Sequence, residues 1–406
     1  MSTLVTPTYP GVYVEELFSL SLSVNASATA VPVFADGINA GSPAVVRINS
    51  WLEFLAAVKS FDPRRLIHRC LRAYFENGGG YCYLVPVDKL IAEVPKLDDV
   101  TLLVAAGQDI SGAVAQLCGP GKSLFAILDT SDLTPEELKN LADSKSSAAT
   151  PAGGKKKNNA SDVAAEGVVV VADVPVMPYP PEPNMHTAIY YPWLQATWAN
   201  GIVEADENGE GGAEYKDKYI PPSAAVAGIY CSVDRERGVW KAPANVALKG
   251  GLTPKYKISD AQQGDYMEGT NALNMIREFR NAGTLVWGAR TLDDTNNWTY
   301  VPLRRLFDAA ERDIKKAMRF AVYEPNTGST WTRVKSAIDS YLHGLWKQGG
   351  LMGAKPEEGF FVQIGEDVTM TPVDIEKGRM IVKIGLAPVR PAEFIILQFT
   401  QEMTQA

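Results

Sequence analysis

The chain has 406 residues, 46% hydrophobic and 21% charged, with a formal net charge of −8. That apolar fraction can fill a sizeable core, and the length suggests two or three domains. The acidic balance excludes a general nucleic-acid coat, which needs a basic face to neutralise phosphate.

The first 30 residues do not read as a domain. Val12, Tyr13, Val14, Glu15 and Glu16 have strand-like alternation, but no close partner strand follows, so an extended arm over 1–30 is expected. From about residue 31 to 265, strand and helix signals alternate. Ser50 and Glu53 have capping-box spacing before Phe54 and Leu55. A helix then puts Leu66, Ile67, Cys70, Leu71, Tyr74 and Phe75 on one face and stops at Asn77-Gly78-Gly79-Gly80. Tyr81 to Val85 and Leu124 to Leu128 read as strands. Thr134-Pro135-Glu136-Glu137 opens a capped helix, and Val168 to Val171 is a further buried strand. The pattern is α/β or α+β. Two polar inserts, near 144–162 (with Lys155, Lys156 and Lys157) and near 204–217, are too polar or Gly-rich to form a core.

Longer helices follow Tyr266. Leu303, Leu306, Phe307, Ala310, Ile314, Ala317, Met318 and Ala321 make one apolar stripe after Pro302. The opposite face carries Arg304, Asp308, Glu311, Arg312, Lys315, Lys316 and Arg319, with i,i+4 pairs expected between Asp308 and Arg312 and between Glu311 and Lys315. A second helix presents Trp331, Val334, Ile338, Tyr341, Leu342, Leu345 and Trp346. Strands close the chain at Phe360 to Ile364, Met380 to Ile384, and Phe394, Ile395, Ile396, Leu397, Gln398 and Phe399. The last follows Pro388 and Pro391, which hold the backbone extended, and so apolar a terminal strand is an aggregation hazard unless paired.

Motifs that would carry chemistry are incomplete. Gly119-Pro120-Gly121-Lys122-Ser123 imitates the end of a phosphate-binding loop, yet Gln116 stands where the first glycine belongs and a strand, not a helix, follows. A turn entering a strand is the better reading, with Asp129 only imitating a Walker B carboxylate. His68, His186 and His343 are far apart and lack a nucleophile motif. Asp206 to Glu210 lacks calcium-loop spacing. Cys70, Cys82, Cys118 and Cys231 form no C-x-x-C pair and read as buried thiols of a reducing compartment. No catalytic residue, metal ligand or cofactor is expected. Residues 1–10 lack the features of a secretory signal, and no stretch approaches the roughly 18–20 apolar residues that span a bilayer. Cytoplasmic synthesis without membrane insertion is the expectation.

Several blocks in order give the chain a resemblance. Pro10-Gly11-Val12-Tyr13-Val14-Glu15-Glu16 is followed by Ala188-Ile189-Tyr190-Tyr191-Pro192-Trp193-Leu194 and by Pro221 to Gly228. Next come Gly238-Val239-Trp240-Lys241-Ala242-Pro243-Ala244-Asn245, Val286 to Leu292, Val301 to Leu306, Phe320 to Asn326 and Ala387 to Phe394. Together they resemble the contractile-tail sheath proteins of phages, R-type bacteriocins and extracellular injection particles. The Gln262-Gln263 stretch, the inserts and Cys231 depart from that pattern.

The resemblance implies a tail-sheath fold: an outer α/β domain (31–265), an inner, tube-facing domain (266–385) joined by the N-terminal arm, and a C-terminal linking strand (386–406). It implies a structural subunit, not an enzyme, which polymerises as a helical sheath of stacked rings of six on an inner tube, with baseplate and terminal cap proteins as further partners and no nucleic acid. Assembly would place it in a virion or an extracellular phage tail-like particle. Val12 to Glu16 and Phe394 to Phe399 would pair with strands of neighbouring copies. Arg304, Arg312, Lys315, Lys316 and Arg319 could meet acidic groups on the tube, or could form a solvated face. A minor paralogue at the baseplate or cap end, a P-loop NTPase and a self-contained binding module are the competing readings.

Overall fold

The computed structural model describes residues 23–36, 45–59, 61–63, 65–148, 181–199, 219–267, 271–295 and 297–396. Val12 to Glu16, the Lys155 to Lys157 run, Val168 to Val171, most of both inserts, and Leu397, Gln398 and Phe399 lie outside them.

The chain opens with strands β1 (Pro32–Phe34) and β2 (Val46–Ile48) and helices α1 (Trp51–Val58) and α2 (Leu66–Glu76). Strand β3 (Cys82–Leu84), helix α3 (Leu90–Glu93), strand β4 (Leu102–Val104), helix α4 (Ser111–Leu117), strand β5 (Phe125–Asp129) and helix α5 (Pro135–Ala148) follow. Next come β6 (Thr187–Tyr191), β7 (Leu194–Ala196), β8 (Tyr219–Ile220) and the long helix α6 (Pro222–Arg237). The middle ends with β9 (Val246–Ala247), β10 (Leu252–Pro254), α7 (Asp260–Gly264), β11 (Asn274–Phe279) and β12 (Gly283–Trp287). The last part holds α8 (Val301–Met318), α9 (Gly328–Lys347), α10 (Pro356–Gly359), β13 (Phe360–Gln363), α11 (Pro372–Glu376) and β14 (Lys383–Leu386).

Nine strands form one sheet in the order β2-β3-β1-β4-β5-β6-β11-β12-β9. The six from β3 to β11 run parallel, and antiparallel partners finish both sides. Parallel strands are covered on both faces, so they read as continuous apolar runs rather than as alternating ones. Leu102, Val104, Phe125, Ile127 and Tyr190 pack toward α1, α2 and α6, whereas Leu103, Ala105, Ala126, Leu128 and Tyr191 pack toward α3, α4 and α5. The period-two alternation of side chains places consecutive residues in different cores. Helix caps fall where side-chain chemistry sets them: Ser50 accepts from the Glu53 amide, and Thr134 and Glu137 bond each other reciprocally.

A third core is separate. It joins Leu306 and Ala310 of α8 to Val334, Ile338 and Leu342 of α9 and to Val362 of β13, with Val239 and Trp240 against it. This corrects the expected division at 265/266. Strands β11 and β12 complete the large sheet through β6, so the second module starts at α8, while Val239 and Trp240 reach it from the middle of the chain. The strand expected at Met380 to Ile384 lies slightly later, at Lys383–Leu386, paired antiparallel with β13. Phe394, Ile395 and Ile396 carry no strand.

Candidate assembly surfaces

The segment entering β1 from the N-terminal side passes between α6 and α8. Thr29 Oγ1 donates to Asp234 Oδ2 at 2.5 Å, and the Thr29 carbonyl accepts from Arg305 at 3.0 Å. Two turns further along α8, Arg312 donates to the Ala28 carbonyl, and the Ser27 amide donates to Asp313. Asp313 also accepts from Tyr341 Oη at 3.0 Å, which ties the same point to α9. Arg305 makes a forked pair with Asp234 at 3.0 and 2.6 Å and lies over the Tyr230 ring. A buried ion pair earns its place only when its geometry is good and its remaining hydrogens are satisfied. Here a backbone carbonyl and a threonine hydroxyl complete the set.

Helix α8 is less exposed than its sequence suggests. Arg304 is buried, bonding Asp308 at 3.1 Å and Glu311 at 3.1 Å, and it stacks over Trp298. Asp308 also faces His186 Nδ1 at 3.3 Å. Arg312 is turned to Ala28 and Asp313. The expected basic face therefore loses Arg304 and Arg312, and Asp308 bonds back to Arg304 rather than forward to Arg312. The physical reason is the surroundings of α8: Trp298 lies against Arg304, and the Ala28 carbonyl accepts from Arg312, so each cation is drawn from water and takes a carboxylate. Lys315, Lys316 and Arg319, at the end of α8 and just after it, are exposed.

The C-terminal part carries most of the uncovered apolar surface. Fifteen large hydrophobic side chains are exposed among the described residues, and ten lie between Val322 and Ile396. A contiguous apolar patch marks a contact surface, and exposed side chains in this number make the C-terminal part the candidate for one. Strands β13 and β14 pair only with each other among the described residues, which leaves both outer edges open, with Phe361 half exposed. An open edge is a template for a strand of another chain. The segment after β14 bridges back to Leu351 through Pro388, and the Met352 amide donates to Ala387 at 2.7 Å. At Glu393 it meets Arg290 and Tyr300, and Phe394, Ile395 and Ile396 then stand 69%, 79% and 82% exposed.

The chemistry-like motifs resolve into structure. Asp129 is buried at the start of α6, where it accepts from the Ser223 amide and hydroxyl and from the Gly107 amide. Burial pushes its carboxyl up to about 6 against those hydrogen bonds. It is a helix N-terminal acceptor rather than a metal carboxylate. Gly121 takes a positive φ in the turn entering β5, and Lys122 donates to the Gln116 carbonyl. All four cysteines are buried free thiols, and burial raises Cys118 to about 12. No group of three His, Cys, Asp or Glu able to hold a metal occurs among the described residues, nor does a helix long and apolar enough to cross a membrane. Sequence reasoning missed the Asp234–Arg305 and Arg290–Glu393 pairs. The signal for the first was two arginines adjoining the apolar stripe of α8; no spacing rule links either pair.

A family model described as the phage tail sheath C-terminal domain matches residues 293–402. The chain is 49% identical to a solved extracellular contractile injection system chain from the PVC sheath complex in its contracted state, covering 98% of this chain and 99% of that one with a TM-score of 0.77. It is 37% identical to the contracted helical sheath of the anti-feeding prophage, covering 98% and 100% with a TM-score of 0.72. The major tail sheath protein of Serratia phage KSP20 is 26% identical over 215 residues, 52% of this chain and 51% of that protein. Curated relatives are matched over about half of their own length or less, from 28% to 51%.

Proposed function

Because the chain belongs to the contractile tail sheath family, we propose that it polymerises in stacked rings around an inner tube and, by contracting, drives that tube through a target envelope. The rings are of six copies, and the inner tube protein, baseplate and terminal cap proteins are its partners. The work needs no catalytic centre. A heterologous contact repeated without closing on itself builds a helical polymer. If contraction repacks subunits into larger contacts, even about 1 kcal/mol per copy sums over many cooperative copies to a decisive bias. The particle, not a membrane, is where the subunit resides.

One observation carries this reading. Among the described residues, a two-stranded sheet with open edges and the exposed apolar segment that follows it in the chain, Phe394 to Ile396, each lack what the other supplies. Joining them between copies is β-strand addition: main-chain bonds give affinity and alternate side chains give register. The arm containing Val12 to Glu16 supplies the second edge in this scheme, and the division of labour follows the two modules, the large sheet outside and the α8–α9 module toward the tube.

Deletion of residues 394–406 tests it. The shortened chain is expected to stay folded and monomeric and to form no sheath. Tubular polymers of normal appearance from that chain would refute strand exchange at this end.

A further inference from the structure

The segment from Ala387 to Glu393 is fastened at two places. At its start, Ala387 accepts from the Met352 amide at 2.7 Å and donates to the Gly359 carbonyl at 2.8 Å, and Val389 donates to Gly350 at 3.3 Å. These contacts belong to the α9–β13 module. Four residues beyond Val389, Glu393 is held by the other module. Arg290 Nε donates to its two oxygens at 3.0 and 3.2 Å, Arg290 Nη2 donates at 2.7 Å, and Tyr300 Oη donates at 3.0 Å. Forked arginine–carboxylate pairs fix direction as well as distance. Pro391, between the two fastenings, removes one backbone rotation.

Arg290 is anchored in turn. Its amide donates to Asn274 Oδ1 at 2.6 Å, and its carbonyl accepts from Asn274 Nδ2 at 2.8 Å. Asn274 Nδ2 also donates to the Ile189 carbonyl, so the chain of bonds runs from Glu393 into β11 and β6 at the middle of the large sheet. Phe394, Ile395 and Ile396 beyond it are exposed. Anything that pulls on the chain past Glu393 therefore pulls first on Arg290, not on the β13–β14 pair.

We propose that Glu393 is a positioning residue for assembly: clasped by Arg290 and Tyr300, it sets the direction in which the linking strand leaves the subunit and passes the pull of the next copy into the nine-stranded sheet. The proposal rests on the strand-exchange reading above. Its size can be judged from geometry. A six-residue strand is about 20 Å long, so a swing of about 20° at Glu393 moves its tip by about 7 Å, more than the ~4.8 Å between paired strands. Without the clasp the strand would sample more than one register, and the next copy would have to select the productive one, which weakens assembly by the fraction lost.

The test uses the full chain with Glu393→Gln, Tyr300→Phe and the 394–406 deletion, measuring the concentration threshold for polymerisation by sedimentation, ring spacing by electron microscopy, and melting of the unpolymerised chain. Glu393→Gln is expected to melt like the parent and to need about tenfold more protein to polymerise, the equivalent of ~1.4 kcal/mol, with Tyr300→Phe about threefold. A Glu393→Gln chain that polymerises at the parental threshold with parental spacing overturns the clasp. If Glu393→Gln melts early, Tyr300→Phe decides, since it removes one hydroxyl only: a raised threshold supports the clasp and an unchanged one overturns it. Polymerisation of the deletion chain would instead overturn the strand-exchange reading on which the clasp rests.

Discussion

Asp234 on α6 and Arg305 on α8, 71 residues apart, meet at 2.6 Å with side chains 4% and 3% exposed. The pair joins the helix under the large sheet to the helix that founds the third core, and Thr29 locks the N-terminal segment onto both. Removing one partner leaves a buried charge uncompensated. Arg305→Ala or Asp234→Ala is expected to cost about 3–5 kcal/mol, whereas Arg305→Met with Asp234→Leu recovers most of that loss. Denaturant unfolding of the unpolymerised chain measures both. A double variant as unstable as the singles would show that the charges are needed for more than mutual compensation.

Gly228 marks where α2 and α6 touch backbone to backbone. A methyl group there would sit 2.4 Å from the Tyr74 carbonyl oxygen and 2.9 Å from Asn77 Cβ. Backbone cannot swing aside as a side-chain tip can, so Gly228→Ala is expected to destabilise by about 1–3 kcal/mol despite the better helix propensity of alanine. Thermal melting of the variant against the parent checks it; a stabilised variant would mean that the helices separate freely.

His68 gives a pH dependence of known sign. Burial, reinforced by Arg65 and opposed by Asp62, lowers its pKa to about 4, and its Nδ1 accepts from the Asp62 amide as a neutral imidazole. Between its ordinary 6.5 and about 4, the unfolded chain takes up a proton here that the folded chain refuses. Stability from this group is therefore complete above pH 6.5 and falls as the pH falls through that window. Asp129, raised to about 6, acts in the opposite sense between 6 and its ordinary 3.8, so the comparison must be between variants. His68→Gln is expected to show a shallower loss of stability from pH 6.5 to 4 than the parent, read from denaturant midpoints at each pH. Identical slopes would remove His68 as the cause.

Lys315 and Lys316, with Arg319, are the exposed remainder of the basic face. The two lysines sit in the last turn of α8, where cations favour the helix by roughly 0.3–1 kcal/mol each. Lys315→Glu with Lys316→Glu is expected to cost little more than that in melting, yet to reduce polymerisation on a tube more than polymerisation without one. Equal behaviour with and without the tube would make this a solvated face.

The sequence revealed what depends on local periodicity. The stripe from Leu303 to Met318 and the row from Trp331 to Trp346 become α8 and α9, and Ser50, Thr134 and Gly78 punctuate helices as their chemistry requires. What stayed hidden depends on distant partners. Arg304 looked like surface because a helical wheel shows only its own helix; Trp298, which stacks on it, and His186, which faces its partner Asp308, come from outside that helix. The same limit misplaced the domain division, since β11 and β12 look like the start of something new until β6 is seen beside them. Glu393 stood in a recognisable block, but only Arg290 and Tyr300 give it a role.

The crowding of uncovered apolar side chains between Val322 and Ile396 has a consequence for the subunit's life before assembly. At the concentrations needed to build a long polymer, uncovered apolar side chains favour contact between free copies. The net charge of −8 slows such encounters at long range only, because salt screens it beyond about 10 Å. Orderly growth then requires that addition at an existing end outrun self-nucleation in solution. A growing cylinder does this by offering each arrival several contacts at once, so the scaffold acts as a timer as much as a template.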